Sequence, residues 1–158
     1  MRDTNGFIAL AHRKLKCTLT CMFTIDESKE IRDCLQEILT VSGALAVGVG
    51  NWNTGQCLFK EGLNKGDFPT SKIDSAVDLN SEVIRAKQRA VAALELDDNI
   101  DDILISLTRQ WHLMRLLQVE GYFLYLALDR SKASIASAGL KLRQANRKLS
   151  KILANHPE

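Results

Sequence analysis

Three apolar runs, separated only by tight turns, are the feature of this chain that most constrains its fold. They cover residues 103–108, 111–117 and 122–128, and each has the length of a β-strand. The connecting turns, residues 109–110 and 118–121, are too short to hold a crossover helix. The three strands must therefore pair antiparallel, as a meander.

A helix and a hairpin precede the meander. The helix opens at Thr24, where Glu27 supplies the spacing of a capping box, and apolar residues then recur at helical intervals. Residues 44–49 and 56–60 follow as two strands, joined by the tight turn Asn53-Thr54-Gly55. The chain therefore begins as helix, strand, strand.

Two longer helices complete the pattern, at about residues 73–96 and at residues 131–153. The predicted order is helix, two strands, helix, three strands, helix. The strands are apolar on both sides, for example at Leu104 and Ile105, whereas the strands of a sheet with one solvent-exposed face would alternate apolar and polar residues. We therefore predict an α/β fold of the α+β sandwich type, with a five-stranded antiparallel sheet and helices on both faces.

The bulk composition is that of one globular domain. The chain has 158 residues, of which 46% are hydrophobic and 25% charged, and its formal net charge is +2. That charge is too small to argue for nucleic-acid binding, and no apolar run approaches the ~20 residues of a membrane span. The four cysteines form no CxxC pair, which fits a reducing cytoplasm better than a disulfide framework.

Residues 1–23 lie outside every periodic element. A basic start precedes a short apolar stretch there, but threonines interrupt that stretch and Asp26 follows it, so a secretory signal is not favoured. We expect residues 1–23 to be a disordered or late-docking tail, and residues 24–158 to form a single domain.

The order of elements resembles the roadblock (dynein light chain) family. The likeness is carried by residues 43–49 with their turn, by residues 102–107 and 121–129 as the third and fifth strands, and by the small-residue helix at 133–142. It covers about residues 24–154. It implies one helix on one face of the sheet and two on the other, dimers, and work as platforms for Ras-like GTPases or motor complexes. Bacterial members of that family often regulate small GTPases.

No convergent set of catalytic or metal-ligating residues stands out in the sequence. Gly48-Val49-Gly50 lacks the spacing of a phosphate loop, and the acidic run at residues 97–102 lacks the glycine and distal glutamate of a calcium loop. Cys17 and Cys21 have no second ligand pair for zinc, and the sequence nominates no nucleophile or carboxylate beside His112. We therefore expect no catalytic residue, no metal and no cofactor.

The outer side of the last helix is basic. Lys141, Arg147, Lys148 and Lys151 could form a patch for an acidic partner. The alternative is a solvated face, because the opposite side of this helix is regularly apolar. Nucleic acid is not favoured as a partner, since no aromatic residues interleave with these charges.

A second apolar flank on the middle helix is the strongest candidate for an interaction site. An amphipathic helix needs only one buried stripe, so an additional stripe of small residues indicates a contact surface. The third strand would also be an unprotected sheet edge in a monomer. The residues that we assign to a dimer interface are Val83, Ala86, Ala90, Ala93, Leu104 and Ser106. The alternative is that the loop at residues 61–72 covers the flank.

These observations favour a non-catalytic assembly module. We expect a cytoplasmic homodimer that regulates or scaffolds a partner, and the family resemblance implies a Ras-like small GTPase as that partner. The alternative is a small-molecule sensor of the longin or profilin type, since those folds share much of this element order. Phe68 and Pro69 would then form a lid beside the sheet.

Overall fold

The computed structural model describes residues 22–65 and 68–156, which form a five-stranded antiparallel sheet and three α-helices. The predicted order of elements is confirmed. The helices are α1 (Ile25–Leu39), α2 (Ile73–Ala93) and α3 (Ile135–Leu153), and the strands are β1 (Ala44–Asn51), β2 (Cys57–Gly62), β3 (Asp102–Ser106), β4 (Gln110–Leu116) and β5 (Tyr122–Asp129). The strand order across the sheet is β2-β1-β5-β4-β3, so β2 and β3 are the edges.

The two faces of the sheet carry separate apolar clusters. On one face, α1 and α3 pack against residues such as Val47 and Leu126. On the other face, α2 packs against residues such as Phe123 and Tyr125, together with Phe68 from the segment before the helix. The arrangement of one helix on one face and two on the other is the one that the family resemblance implies.

Strand β3 departs from the prediction that the strands are covered on both faces. Ile103 and Ile105 are half-buried on the side of α2, where they pack against the apolar cluster. Leu104 points to the opposite face and is 43% exposed. The prediction is wrong here because β3 is the outermost strand, and its free face lies beyond the helices that cover β1 and β5.

Helix α1 starts with the predicted capping box. Thr24 Oγ1 accepts a hydrogen bond from the Glu27 amide at 3.1 Å, and Glu27 Oε2 accepts one from the Thr24 amide at 2.8 Å. His156 Nε2, just beyond α3, lies 3.1 Å from Glu27 Oε1. The hydrogen bonds from the Thr24 backbone and from His156 hold the pKa of Glu27 below its ordinary value. The start of α1 and the end of α3 are thus tied together.

The packed part of the chain reaches further towards the N-terminus than predicted. Phe23, which the sequence pattern assigned to the tail, is 9% exposed, and its ring lies 5.3 Å from that of Phe59. An aromatic side chain in such a position contributes to the core. Residues 1–21, with Cys17 and Cys21, lie outside the described residues.

Helix α3 begins four residues later than predicted, at Ile135. Asp129 Oδ1 accepts hydrogen bonds from the hydroxyl of Ser131 at 2.7 Å and from its backbone amide at 2.9 Å. These bonds form a turn that competes with the helix, and they hold the pKa of Asp129 below its ordinary value. Ser134 then caps α3, its hydroxyl accepting from the Ser137 amide at 3.3 Å.

Leu142, fully buried on the inner side of α3, should be essential to the fold. We expect Leu142→Ala to lower the free energy of unfolding by about 2–5 kcal/mol, the usual cost of such a cavity, and Leu142→Asp to yield insoluble protein. Urea denaturation and soluble yield are the measurements. Leu140→Asp is the matched control, since Leu140 lies on the same helix and is 56% exposed. Cooperative unfolding of soluble Leu142→Asp would mean that α3 is a detached arm.

Candidate interaction surface

The outer side of α2 carries the apolar flank that the sequence indicated. Leu79 is 64% exposed, Ala86 and Ala93 are exposed, and Val83 and Ala90 are half-buried. The inner side of the same helix is buried against the sheet through Ile73, Val77, Ser81 and Ile84. The flank therefore lies on the surface of the chain, away from the side that the fold itself uses.

A close approach between α2 and β1 fixes which side of the helix faces outward. Gly50 permits it, because a Cβ atom there would lie 2.4 Å from Val77 Cγ1 and 2.8 Å from Phe123 Cε1. Further along the helix, Arg85 Nη1 donates a hydrogen bond to the carbonyl oxygen of Trp52. These contacts at two points hold α2 against rotation about its axis and keep the apolar flank exposed.

The segment before α2 does not cover this flank in its described part. Phe68 turns towards the sheet instead: it is 7% exposed, and its ring lies 5.7 Å from that of His112 and 6.0 Å from that of Tyr125. Phe68 is thus part of the apolar cluster on this face of the sheet. Residues 66–67 of this segment lie outside the described residues.

Among the described residues, no strand pairs with the outer edge of β3. The Leu107 amide bonds to the Gln110 carbonyl at 2.8 Å, and the Leu116 amide to the Asp101 carbonyl at 3.0 Å. Hydrogen-bonded pairs alternate along an antiparallel ladder, so the odd-numbered residues of β3 bond to β4. The backbone groups of Asp102, Leu104 and Ser106 consequently point away from β4, into the open edge.

The six residues assigned to a dimer interface are divided between the two faces of the sheet. Ile105 lies opposite His112 and Leu104 opposite Leu113 in the β3–β4 register. Leu113 belongs to the cluster under α1 and α3, so Leu104 and Ser106 point away from α2 and its flank. Ile103 and Ile105 lie on the α2 side and are not among the six predicted interface residues. Side chains along a strand point alternately to opposite faces, so the face of every β3 residue follows once one residue that faces α2 is known.

The ends of β3 carry opposite charges. Asp97, Asp98 and Asp101 precede the strand and are exposed. Beyond its other end, Arg130 Nη1 donates to the Leu107 carbonyl at 3.1 Å, and its guanidinium lies 5.6 Å from the ring of Trp111. The edge is therefore acidic at its start and basic at its end. No group of three or more His, Cys, Asp or Glu side chains among the described residues is placed to hold a metal ion.

The predicted basic patch on α3 is partly engaged with α1. Lys141 and Lys148 lie 3.7 and 3.3 Å from Glu37 Oε2, so two of the four cations share one carboxylate. Arg147 and Lys151 are exposed on the outer side of α3. The patch that remains for a partner is therefore smaller than the sequence suggested, because the neighbouring helix supplies its own negative charge.

His112 takes part in a hydrogen-bonded group on the α2 side of the sheet. The hydroxyl of Tyr125 lies 3.1 Å from His112 Nδ1, and His112 Nε2 lies 3.1 Å from Gln110 Oε1. Burial lowers the pKa of His112 and raises that of Tyr125, because burial disfavours the charged form of each side chain. Both ring nitrogens thus have a polar neighbour within hydrogen-bond distance, an arrangement that supports packing.

Comparisons with known proteins bear on the fold. No protein-family model matches the sequence, and no curated protein matches it. Among solved structures, MglB with a tetrameric arrangement aligns with a TM-score of 0.73 and 19% identity, over 84% of this chain and 94% of that one. Gliding protein mglB from Thermus thermophilus aligns with a TM-score of 0.73 and 18% identity, over 84% of this chain and 95% of that one.

A third solved structure carries the family name itself. The Roadblock/LC7 domain from Streptomyces avermitilis aligns with a TM-score of 0.67 and 11% identity, over 77% of this chain and 95% of that one. At such identities the likeness establishes the fold alone, since one fold serves many functions. The chain has the roadblock-type fold that the sequence resemblance implied.

The burial of His112 should make stability depend on pH. The pKa of this half-buried histidine is lower in the folded state than the unfolded value of 6.5. Its contribution to the free energy of unfolding is therefore complete above pH 6.5, and it is lost as the pH falls through that value towards the folded pKa. We expect His112→Gln to flatten the decline in unfolding free energy between about pH 7.5 and pH 5.5. Urea denaturation at several pH values measures it. An unchanged slope in the variant would mean that a group other than His112 causes the pH dependence of the unfolding free energy.

Proposed function

We propose that this chain is a non-catalytic protein–protein interaction module that acts as a cytoplasmic homodimer and regulates a Ras-like small GTPase. The observation that carries the proposal is the coincidence of an exposed apolar flank on α2 with an unpaired strand edge at β3. Each feature alone is a liability in a monomer, because apolar patches and open edges promote association. One symmetric contact would remove both.

Pairing of β3 with its copy in a second subunit has one register that uses the whole strand. With Leu104 facing its own copy, Asp102 lies opposite Ser106 of the second subunit. These are the three residues whose backbone groups point into the open edge, so every one of them gains a partner. A two-fold axis through Leu104 then produces a continuous ten-stranded sheet and brings the two α2 helices to the same face.

The charges at the ends of β3 fit this antiparallel arrangement. The start of one β3, with Asp97 and Asp98, would lie beside the end of the other, with Arg109 and Arg130. A parallel or shifted arrangement would instead place like charges together or leave backbone groups unpaired. Such charge complementarity sets orientation more than affinity, and it is screened by salt.

The GTPase assignment rests on the roadblock-type fold and on the composite surface that a dimer would present. The chain has no phosphate loop of its own, so an effect on a nucleotide cycle must pass through the partner. Binding must then favour one nucleotide state, because a regulator shifts an equilibrium only by differential affinity. In the predicted basic patch, Arg147 and Lys151 are the two exposed cations that do not pair with Glu37, and they would bind an acidic partner.

Among the described residues, no helix combines the length and hydrophobicity that a membrane crossing requires.

Variants in α2 and β3 should separate the dimer from the fold. We expect Ala86→Glu and Leu104→Pro to give folded monomers, since Ala86 lies on the exposed flank and the Leu104 amide points into the open edge, where proline removes no bond to β4. Light scattering at about 100 μM, a concentration above the Kd expected of a standard-sized interface, is the measurement.

Each of these variants has a matched control. Ala92→Glu introduces the same charge at an exposed position of α2 outside the flank, and Leu104→Thr keeps the amide of the edge strand. Both should remain dimeric. A parent protein that is already monomeric contradicts the homodimer, and a dimer that survives both Ala86→Glu and Leu104→Pro must use another surface.

The partner should be recovered in one nucleotide state. We expect a pull-down from lysate of the source cell to retain a Ras-like GTPase with either a GTP analogue or GDP present, and calorimetry with the purified GTPase to show a higher affinity for that state. The parent chain alone should bind neither nucleotide. Arg147→Glu combined with Lys151→Glu should weaken the complex with the GTPase. The control is Lys87→Glu on α2, which tests whether a charge reversal elsewhere on the surface has the same effect. Recovery of no Ras-like protein in either state would overturn the GTPase assignment.

A further inference from the structure

A polar groove lies on the opposite side of the sheet from the α2 flank, between α3 and the start of β3. Its volume is about 810 Å³, and it is lined by three separate parts of the chain: residues 99–102, residues 115–118 with Glu120, and the side of α3 that carries Arg143 and Asn146. That volume is within the range of small-molecule sites. The groove lies apart from α2, and its residues 99–102 adjoin the start of β3, which the proposed dimer also uses.

A buried cation forms part of the groove wall. Arg115 is 7% exposed and is the one charged residue among the buried polar residues of the described chain. Its Nη2 donates to the Asp102 carboxylate, directly opposite on β3, but its Nε is buried and has no hydrogen-bond acceptor among the described residues. A guanidinium has five N–H donors, and the bond to Asp102 uses one of them, so the side chain that lines the groove has further donors for a ligand oxygen.

The shape of the groove wall is held by a buried amide. Asn146 Oδ1 accepts hydrogen bonds from the Gln118 amide at 3.2 Å and from the Ser150 hydroxyl at 2.8 Å, and Asn146 Nδ2 donates to the Leu116 carbonyl at 3.4 Å. These bonds fix the turn after β4 against α3. The groove is therefore a preorganised feature, and its walls do not depend on a ligand for their position.

The charges around the groove select the kind of ligand. Arg115 and Arg143 supply positive charge, while Asp101 and Glu120 supply negative charge at the rim. Asp102 is already engaged by Arg115. A dianion such as phosphate would be repelled by the two rim carboxylates, and a simple cation would be repelled by the two arginines. A small molecule that carries one carboxylate and one ammonium group matches both signs.

We propose that this groove binds a free α-amino acid, with its carboxylate held by Arg115 and Arg143 and its ammonium group by Asp101 and Glu120. Arginine suits the carboxylate because its planar guanidinium offers paired donors. The site goes beyond the proposed assembly function and does not depend on it, because every residue that lines it comes from a single chain.

Thermal denaturation of the full chain with each of the common L-amino acids at about 10 mM tests the proposal. One or a few of them should raise the midpoint by about 4 °C or more, as expected for a ligand well above its Kd. Calorimetry with the best of them should give a measurable Kd. The carboxamide of that amino acid and its deaminated acid should each bind at least about tenfold more weakly, since each lacks one of the two charges.

Variants inside and outside the groove locate the site. Arg143→Ala should weaken binding about tenfold or more, and Asp101→Asn should also weaken it, whereas Arg147→Ala, one turn along α3 and outside the groove, should leave the Kd within about twofold. Neither Arg143 nor Asp101 is buried, so these variants should fold. The proposal is overturned if no amino acid shifts the midpoint, if Arg143→Ala and Arg147→Ala bind alike, or if inorganic phosphate binds more tightly than any amino acid.

Discussion

Complete burial of the β1–β5 pair is the constraint on which the rest of this structure depends. All eight residues of β1 are buried, and β5 is buried up to Asp129. Apolar side chains on both faces of the two strands require a helical layer on each side. Gly48 and Gly50 lie under α2, where a Cβ at Gly48 would come within 3.0 Å of Ile73 Cγ2. The central strands thus determine how closely the single helix on that face can approach.

Burial of apolar side chains determines that helices cover both faces of the sheet, and a few buried polar groups determine the geometry of the connections between these elements. Asn51 Oδ1 accepts from the amides of Asn53 at 2.9 Å and Thr54 at 3.1 Å, which shapes the β1–β2 turn at the end of a buried strand. Asn146 does the same between α3 and the turn after β4. A satisfied polar group in a low-dielectric interior specifies one geometry, because the alternatives leave donors unpaired.

Local signals in the sequence predict the elements well, since they depend on near neighbours along the chain. The capping box at Thr24 and the periodic flank on α2 were readable for that reason. The placement of β1 beside β5 was not, because strand order depends on contacts between distant residues. The sequence indicates Leu104 as an interface residue but not the face on which it lies, because that face depends on the register of β3 with β4. Glu37, on a helix distant in sequence, likewise pairs with two cations of the predicted basic patch. The groove beside Arg115 is formed by three segments that carry no recognisable sequence motif.

Energetic magnitudes indicate how the proposed homodimer would be held. Burying a leucine completely contributes about 1.5–3 kcal/mol, and the exposed leucines of α2 and β3, such as Leu79 and Leu104, are already partly covered, so each offers less. A backbone hydrogen bond adds about 0.5–1.5 kcal/mol net, while association costs about 4–15 kcal/mol in lost freedom. Neither the helix flank nor the strand edge alone exceeds that cost comfortably. A stable dimer therefore requires both contacts together, and the loss of either one is sufficient to dissociate it.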